Sequence, residues 1–163
     1  MFPADIITLA EAVVAASRRS GLMVATAESC TGGLVAGAIT AVPGSSEALE
    51  RGFVTYSNAA KASMLGVAPD LIEVHGAVSE PVARAMAQGA AAMSGAEVAV
   101  AVTGVAGPGG GSVEKPVGLV HFAAAGPQGV IHQARHFGDI GRDAVRTASV
   151  RVALEMLLER LGA

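Results

Sequence analysis

Apolar positions along this chain alternate between a helical spacing and short unbroken runs. From Asp5 to Arg19 they fall at Ile6, Leu9, Ala10, Val13 and Val14, and Gly21 closes the helix they predict. Leu22 to Ala27 is an apolar run suited to a strand covered on both faces. It runs into Glu28-Ser29-Cys30-Thr31-Gly32-Gly33, after which Leu34 to Val42 reads as a helix halted at Pro43-Gly44. Ser45 to Glu50 fits one helical turn and Arg51 to Tyr56 a second strand. Ser57 can cap a helix reaching Leu65, and Pro69-Asp70 opens another reaching Val74. Ser79-Glu80-Pro81-Val82 combines a hydroxyl cap with a proline in the first turn, starting a helix that extends to Met93. Glu97 to Thr103 predicts another buried strand, emptying into a loop from Gly104 to Pro116. Val117–Ala124 and Val130–Phe137 form a hairpin across Gly126-Pro127-Gln128-Gly129, and Arg142 to Leu161 is helical again.

Strands alternating with helices, without internal repeat or linker, predict one α/β domain over residues 1–163. Its expected form is a three-layer α/β/α sandwich with a mixed, mostly parallel sheet of about five strands. Open sheets of this kind bind ligands beyond the carboxyl ends of their strands. The turns Glu28–Gly33, Tyr56–Asn58 and Thr103–Gly111 lie at those ends and are expected to converge.

Composition narrows the class. The chain is 52% hydrophobic but only 3% aromatic, so Ala, Val and Leu must build the core and few rings remain for stacking bases. A net charge of −3 gives no broad basic footprint, which argues against a nucleic-acid partner. The single cysteine, Cys30, cannot form an internal disulfide, and no Cys or His pairs have metal-ligand spacing. Short, interrupted apolar runs and the absence of a leader pattern predict no membrane partner and a cytoplasmic setting. Small-residue helix faces suggest a homodimer.

Three residues carry candidate chemistry. Ser29 sits where a strand turns into a helix, and the N–H groups there can attract an oxyanion or phosphate. It reads either as a nucleophile or as a plain helix cap. Cys30 is the rival nucleophile, or a small buried filler. None of the four histidines is placed to serve as the base. Lys61, one turn beyond Tyr56-Ser57-Asn58, would be a base if burial depressed its pKa, and otherwise an exposed helix lysine. The glycine-rich Gly104–Gly111 segment lacks both the dinucleotide and the P-loop pattern, and serves as a backbone cradle or a connector.

These motifs resemble one family. Ala27-Glu28-Ser29-Cys30-Thr31-Gly32-Gly33, Pro43-Gly44-Ser45-Ser46, Gly52-Phe53-Val54-Thr55-Tyr56-Ser57-Asn58 with Lys61, Gly76-Ala77-Val78-Ser79, Thr103-Gly104-Val105-Ala106-Gly107-Pro108 and Lys115-Pro116-Val117-Gly118 are similar, in order, to the CinA C-terminal domain. The resemblance implies an amidase that converts nicotinamide mononucleotide to nicotinate mononucleotide and ammonia, without cofactor or metal. It implies Ser29 as nucleophile, Lys61 as base, and Tyr56 and Thr103 in supporting polar roles. Substrate contacts would come from Cys30, Thr31, Gly32, Gly33, Asn58, Gly104, Gly107 and an arginine of the last helix. That arginine maps to Arg142, with Arg146 as the alternative, because Asp139-Ile140-Gly141-Arg142 departs from the family's usual Gly-Asp-Arg. Many members carry a further N-terminal domain, so this chain is expected to be the stand-alone form. The competing reading, from the family's historical name, is a non-catalytic nucleotide-binding protein linked to competence or DNA damage. That reading expects the serine and lysine to lie apart.

Overall fold

The structure, a computed structural model, describes residues 1–163. Its elements follow the order α1 (Ala4–Ser20), β1 (Val24–Glu28), α2 (Leu34–Thr40), β2 (Leu49–Val54), α3 (Asn58–Leu65), α4 (Pro69–His75), α5 (Glu80–Ser94), β3 (Val98–Gly104), β4 (Leu119–Gly126), β5 (Gly129–His136) and α6 (Arg142–Arg160). The strands form one sheet ordered β2-β1-β3-β4-β5. β1 pairs parallel with β2 and β3, whereas β3–β4 and β4–β5 are antiparallel. The sheet is therefore mixed, and four of its five strands point the same way. Helices α1, α2 and α6 cover one face and α3, α4 and α5 the other, giving the expected three-layer sandwich.

Residue size separates the two faces. Side chains alternate across a strand, so Val24, Val98, Val100, Val102, Val120 and Phe122 face the α1/α2/α6 layer. Ala25, Ala27, Ala99, Ala101, Ala123 and Ala125 face α5. The alanine face lets α5 approach closely, and its own contact residues are small: Ala83, Ala87 and Ala90 are fully buried. A Cβ on Gly89 would stand 2.0 Å from the Leu65 carbonyl oxygen, which fixes how near α3 lies to α5. The small residues of α5 are thus packed inside the chain.

Element ends differ from expectation where the site begins. β2 starts at Leu49, because Val24 pairs with Leu49 and its N–H donates to Ala48, and the register then slips between Val24 and Ala25. It stops at Val54, which leaves Tyr56 beyond the strand and 62% exposed. The predicted caps form: Ser57 accepts from Ala60 N–H at 3.0 Å and Ser79 from Val82 N–H at 3.4 Å. The hairpin closes over Pro127-Gln128, with Gly126 opposite Gly129. No helix is long and apolar enough to cross a membrane.

Candidate active site

β2, β1 and β3 are adjacent and parallel, so their carboxyl ends lie side by side. Hydrogen bonds continue past those ends: Ser29 N–H donates to Val102 O at 2.9 Å, and Thr55 N–H to Glu28 O at 2.9 Å. The three turns expected to converge therefore do so, around a cleft of about 300 Å³. It is lined by Ser29, Cys30, Tyr56, Asn58, Lys61, Ala77, Val78, the 103–107 segment, Gly109, Gly110 and Arg142. The loop after β3 is held in place rather than loose. Val105 N–H donates to Leu119 O at 2.9 Å and Gly118 N–H to Val105 O at 2.8 Å.

Strand alternation explains what Glu28 and Ser29 do. With Ala25 and Ala27 facing α5, Ser29 emerges on the α3 side of the sheet, where Lys61 waits. Lys61 is the fourth residue of α3, shares its inward face with Leu65, and is only 1% exposed. Its Nζ donates to Ser29 Oγ at 2.9 Å and to the Thr55 carbonyl at 2.8 Å. Desolvation pushes the Lys61 amine below its ordinary value of 10.5, because burial penalises the ammonium. A neutral lysine beside a serine hydroxyl is a base positioned to take its proton.

Glu28 faces the opposite way and is 1% exposed. Its carboxylate accepts from Val35 N–H at 2.7 Å, Ala36 N–H at 3.1 Å and the Thr26 hydroxyl at 3.3 Å. The expectation that the α2 start would attract substrate anions is corrected here: a carboxylate from within the chain already occupies that position. The donor left for an oxyanion comes earlier in the turn, since Cys30 lines the cleft and its N–H finds no acceptor in the protein. Left-handed backbone at Gly32 (φ 57°) and Gly33 (φ 101°) makes the turn possible, and both positions need glycine for it.

Of the other expected residues, Thr103 lines the cleft, 1% exposed, and its hydroxyl donates to Ala77 O at 2.9 Å. Thr31 is fully buried with no partner for its hydroxyl, and it, Gly32 and Gly33 lie outside the lining, so they shape the turn rather than face the cleft. Arg142 bridges the mouth, donating to Gly107 O at 2.8 Å and to the Tyr56 phenol oxygen at 3.0 Å. Arg146, the alternative to Arg142, does not line the cleft. Sequence reasoning gave no role to Glu28 or to the Thr55 carbonyl. It also missed the Ala77-Val78 wall, whose only signal was its place in the Gly76–Ser79 motif.

Cys30 is poorly suited to be the nucleophile. Burial raises its thiol to about 11, away from the reactive thiolate. The histidines stand elsewhere. His121 Nδ1 and His132 Nε2 are hydrogen bonded at 2.9 Å beside Glu80, and no histidine lines the cleft. Beside the Lys61 amine the lining carries the Arg142 guanidinium and no carboxylate, so it favours an anionic ligand although the whole chain is acidic.

Fold and site together describe a three-layer sandwich with a serine–lysine pair at the carboxyl edge of its sheet. The family model of the CinA C-terminal domain matches residues 6–161, and the chain belongs to that family. Among curated relatives, a CinA-like protein of Parasynechococcus marenigrum is 52% identical over 94% of this chain, which covers 37% of that protein. A putative competence-damage inducible protein of Symbiobacterium thermophilum is 60% identical over 77% of this chain, covering 30% of its length. This chain thus spans about a third of the length of these curated relatives. The crystal structure of the competence/damage inducible protein CihA from Agrobacterium tumefaciens is 55% identical and superposes with a TM-score of 0.97, over 100% of this chain and 99% of that one. A CinA superfamily protein from Klebsiella pneumoniae is 36% identical with a TM-score of 0.91, over 96% and 98% of the two chains.

Proposed function

We propose that this chain is an amidohydrolase that deamidates nicotinamide mononucleotide through an acyl-enzyme on Ser29. The observation carrying the proposal is the 2.9 Å contact between Ser29 Oγ and the buried amine of Lys61. The non-catalytic alternative expects these two groups to lie apart. The substrate itself follows from the family resemblance, and the cationic cleft without carboxylates supports it.

In the scheme, neutral Lys61 takes the Ser29 proton as Oγ bonds to the carboxamide carbon. Developing charge on the amide oxygen meets the free N–H group of Cys30. The carbon–nitrogen bond then breaks, and ammonia leaves with a proton returned by Lys61 or by the Tyr56 hydroxyl. Arg142 donates to that phenol oxygen, which leaves the phenolic hydrogen available to the leaving group. Water, deprotonated by Lys61, attacks the nicotinoyl ester and releases nicotinate mononucleotide and Ser29. Arg142 receives the nucleotide phosphate, since a guanidinium suits it bidentately. Asn58, Gly104 and Gly107 line the path, and Thr103 holds the Ala77 wall. These steps draw on water and the side chains named.

Ammonia release from the nucleotide by wild type, beside Ser29→Ala, tests this reading. Wild type is expected to release ammonia and Ser29→Ala to lose about 10⁴-fold or more of that rate. Equal release by both refutes Ser29 as nucleophile. Binding of the nucleotide without release by wild type favours the non-catalytic reading.

A further inference from the structure

Arg146 lies one turn after Arg142 on α6, yet it makes a different set of contacts. Its Nε donates to the Cys30 carbonyl at 3.1 Å and its Nη2 to the Thr31 carbonyl at 3.3 Å. Both contacts fall on the backbone that follows the nucleophile. Cys30 lines the cleft and its N–H has no acceptor in the protein, whereas Thr31 is fully buried outside the lining and Gly32 N–H donates to Ser29 O at 3.1 Å. Holding the two carbonyls fixes the direction in which the Cys30 N–H points. With Glu28 fixing the start of α2, the turn is held from both sides by ionisable groups that never face the cleft.

We infer that Arg146 is a positioning residue: by holding the Cys30 and Thr31 carbonyls it fixes the turn after Ser29 that presents the free Cys30 N–H to the oxyanion. The inference rests on the amidase reading above. Its competitor is a purely structural role as a tie between α6 and the turn. That competitor is weak in one respect, because α6 is already docked by Val145, Val150, Ala153, Leu154 and Leu157, all 1% exposed or less. Arg151 adds an ion pair to Asp5 on α1.

The test compares wild type with Arg146→Met, Arg146→Lys and, as a control for docking of α6, Arg151→Met. One readout is fluorophosphonate labelling of Ser29, in which Oγ bonds phosphorus, fluoride leaves and Lys61 takes the hydroxyl proton. The other is kcat and KM for nicotinamide mononucleotide. Arg146→Met is expected to label and turn over about 10- to 100-fold more slowly, short of the ~10²–10³ for outright loss of an oxyanion donor. KM should hold, Arg146→Lys should recover part of the rate, and Arg151→Met should match wild type even where its melting temperature falls. Should Arg146→Met not fold, Arg146→Lys carries the comparison, with labelling slower than Arg151→Met at equal stability. Labelling of the Arg146 variants at the wild-type rate overturns the inference, as does a loss confined to KM or an equal loss in Arg151→Met. Wild type that neither labels at Ser29 nor releases ammonia overturns the amidase reading first, and this inference with it. An active wild type with unaffected Arg146 variants overturns the inference alone.

Discussion

Lys61→Met is expected to turn over nicotinamide mononucleotide about 10³-fold more slowly than wild type while remaining folded. Methionine fills nearly the same slot with an unbranched apolar chain, so the packing of α3 against α5 should survive. What disappears is the proton acceptor 2.9 Å from Ser29 Oγ. The pH dependence separates this loss from a structural one. Lys61 acts as a base only after losing its own proton, and burial holds its pKa below 10.5. Wild-type kcat/KM should therefore rise with pH along a limb whose inflection lies below that value, and Lys61→Met should lack the limb. Stability carries the same signature. Unfolded Lys61 keeps its proton up to about pH 10.4, whereas the folded residue gives it up earlier. Between those two values the unfolded state binds more protons, so wild-type stability rises with pH there, and the variant loses that slope. A rate for Lys61→Met within a few-fold of wild type refutes the dyad.

Glu28→Ala should destabilise the fold and silence the site together. It removes the acceptor for two N–H groups in the first turn of α2 and for the Thr26 hydroxyl, all in a buried position. Hydrogen bonds to a charged acceptor contribute about 1.5–3 kcal/mol each, and orphaned donors add to the penalty. A net cost of about 3 kcal/mol follows, or roughly 10 °C in melting temperature for a domain of this size. Ammonia release should fall even at temperatures where the variant is folded, because the turn carrying Ser29 loses its anchor. Glu28→Gln should recover only part, since its amide presents a donor where a second acceptor is needed. A melting temperature unchanged in Glu28→Ala contradicts this account of the turn.

Glu28 also marks where sequence reading stopped. The strands were legible because Val24–Glu28 and Val98–Gly104 are short apolar runs bounded by glycine and polar turns. The helices were legible from Ser57, Ser79 and Pro81, whose capping roles are local. Convergence of the three turns followed from the general behaviour of parallel strands. What a linear reading lacked was the assignment of faces. In the run VAVAVT both residue types are apolar, and only packing shows valine turned to α6 and alanine to α5. The same alternation sends Glu28 to one side and Ser29 to the other, so two neighbours in sequence serve different layers. Arg142 and Arg146 posed the same problem. One helical turn apart, they differ in that one donates into the cleft mouth and the other to the backbone beneath it.

The central claim is that Ser29, activated by Lys61, becomes acylated during turnover. Rapid quenching of wild type with nicotinamide mononucleotide, followed by mass spectrometry of its peptides, tests this most directly. The account predicts a transient nicotinoyl ester on Ser29, absent from Lys61→Met and formed at a rate matching the first release of ammonia. Ammonia release with Ser29 unmodified throughout, or with the adduct on Cys30, would contradict it.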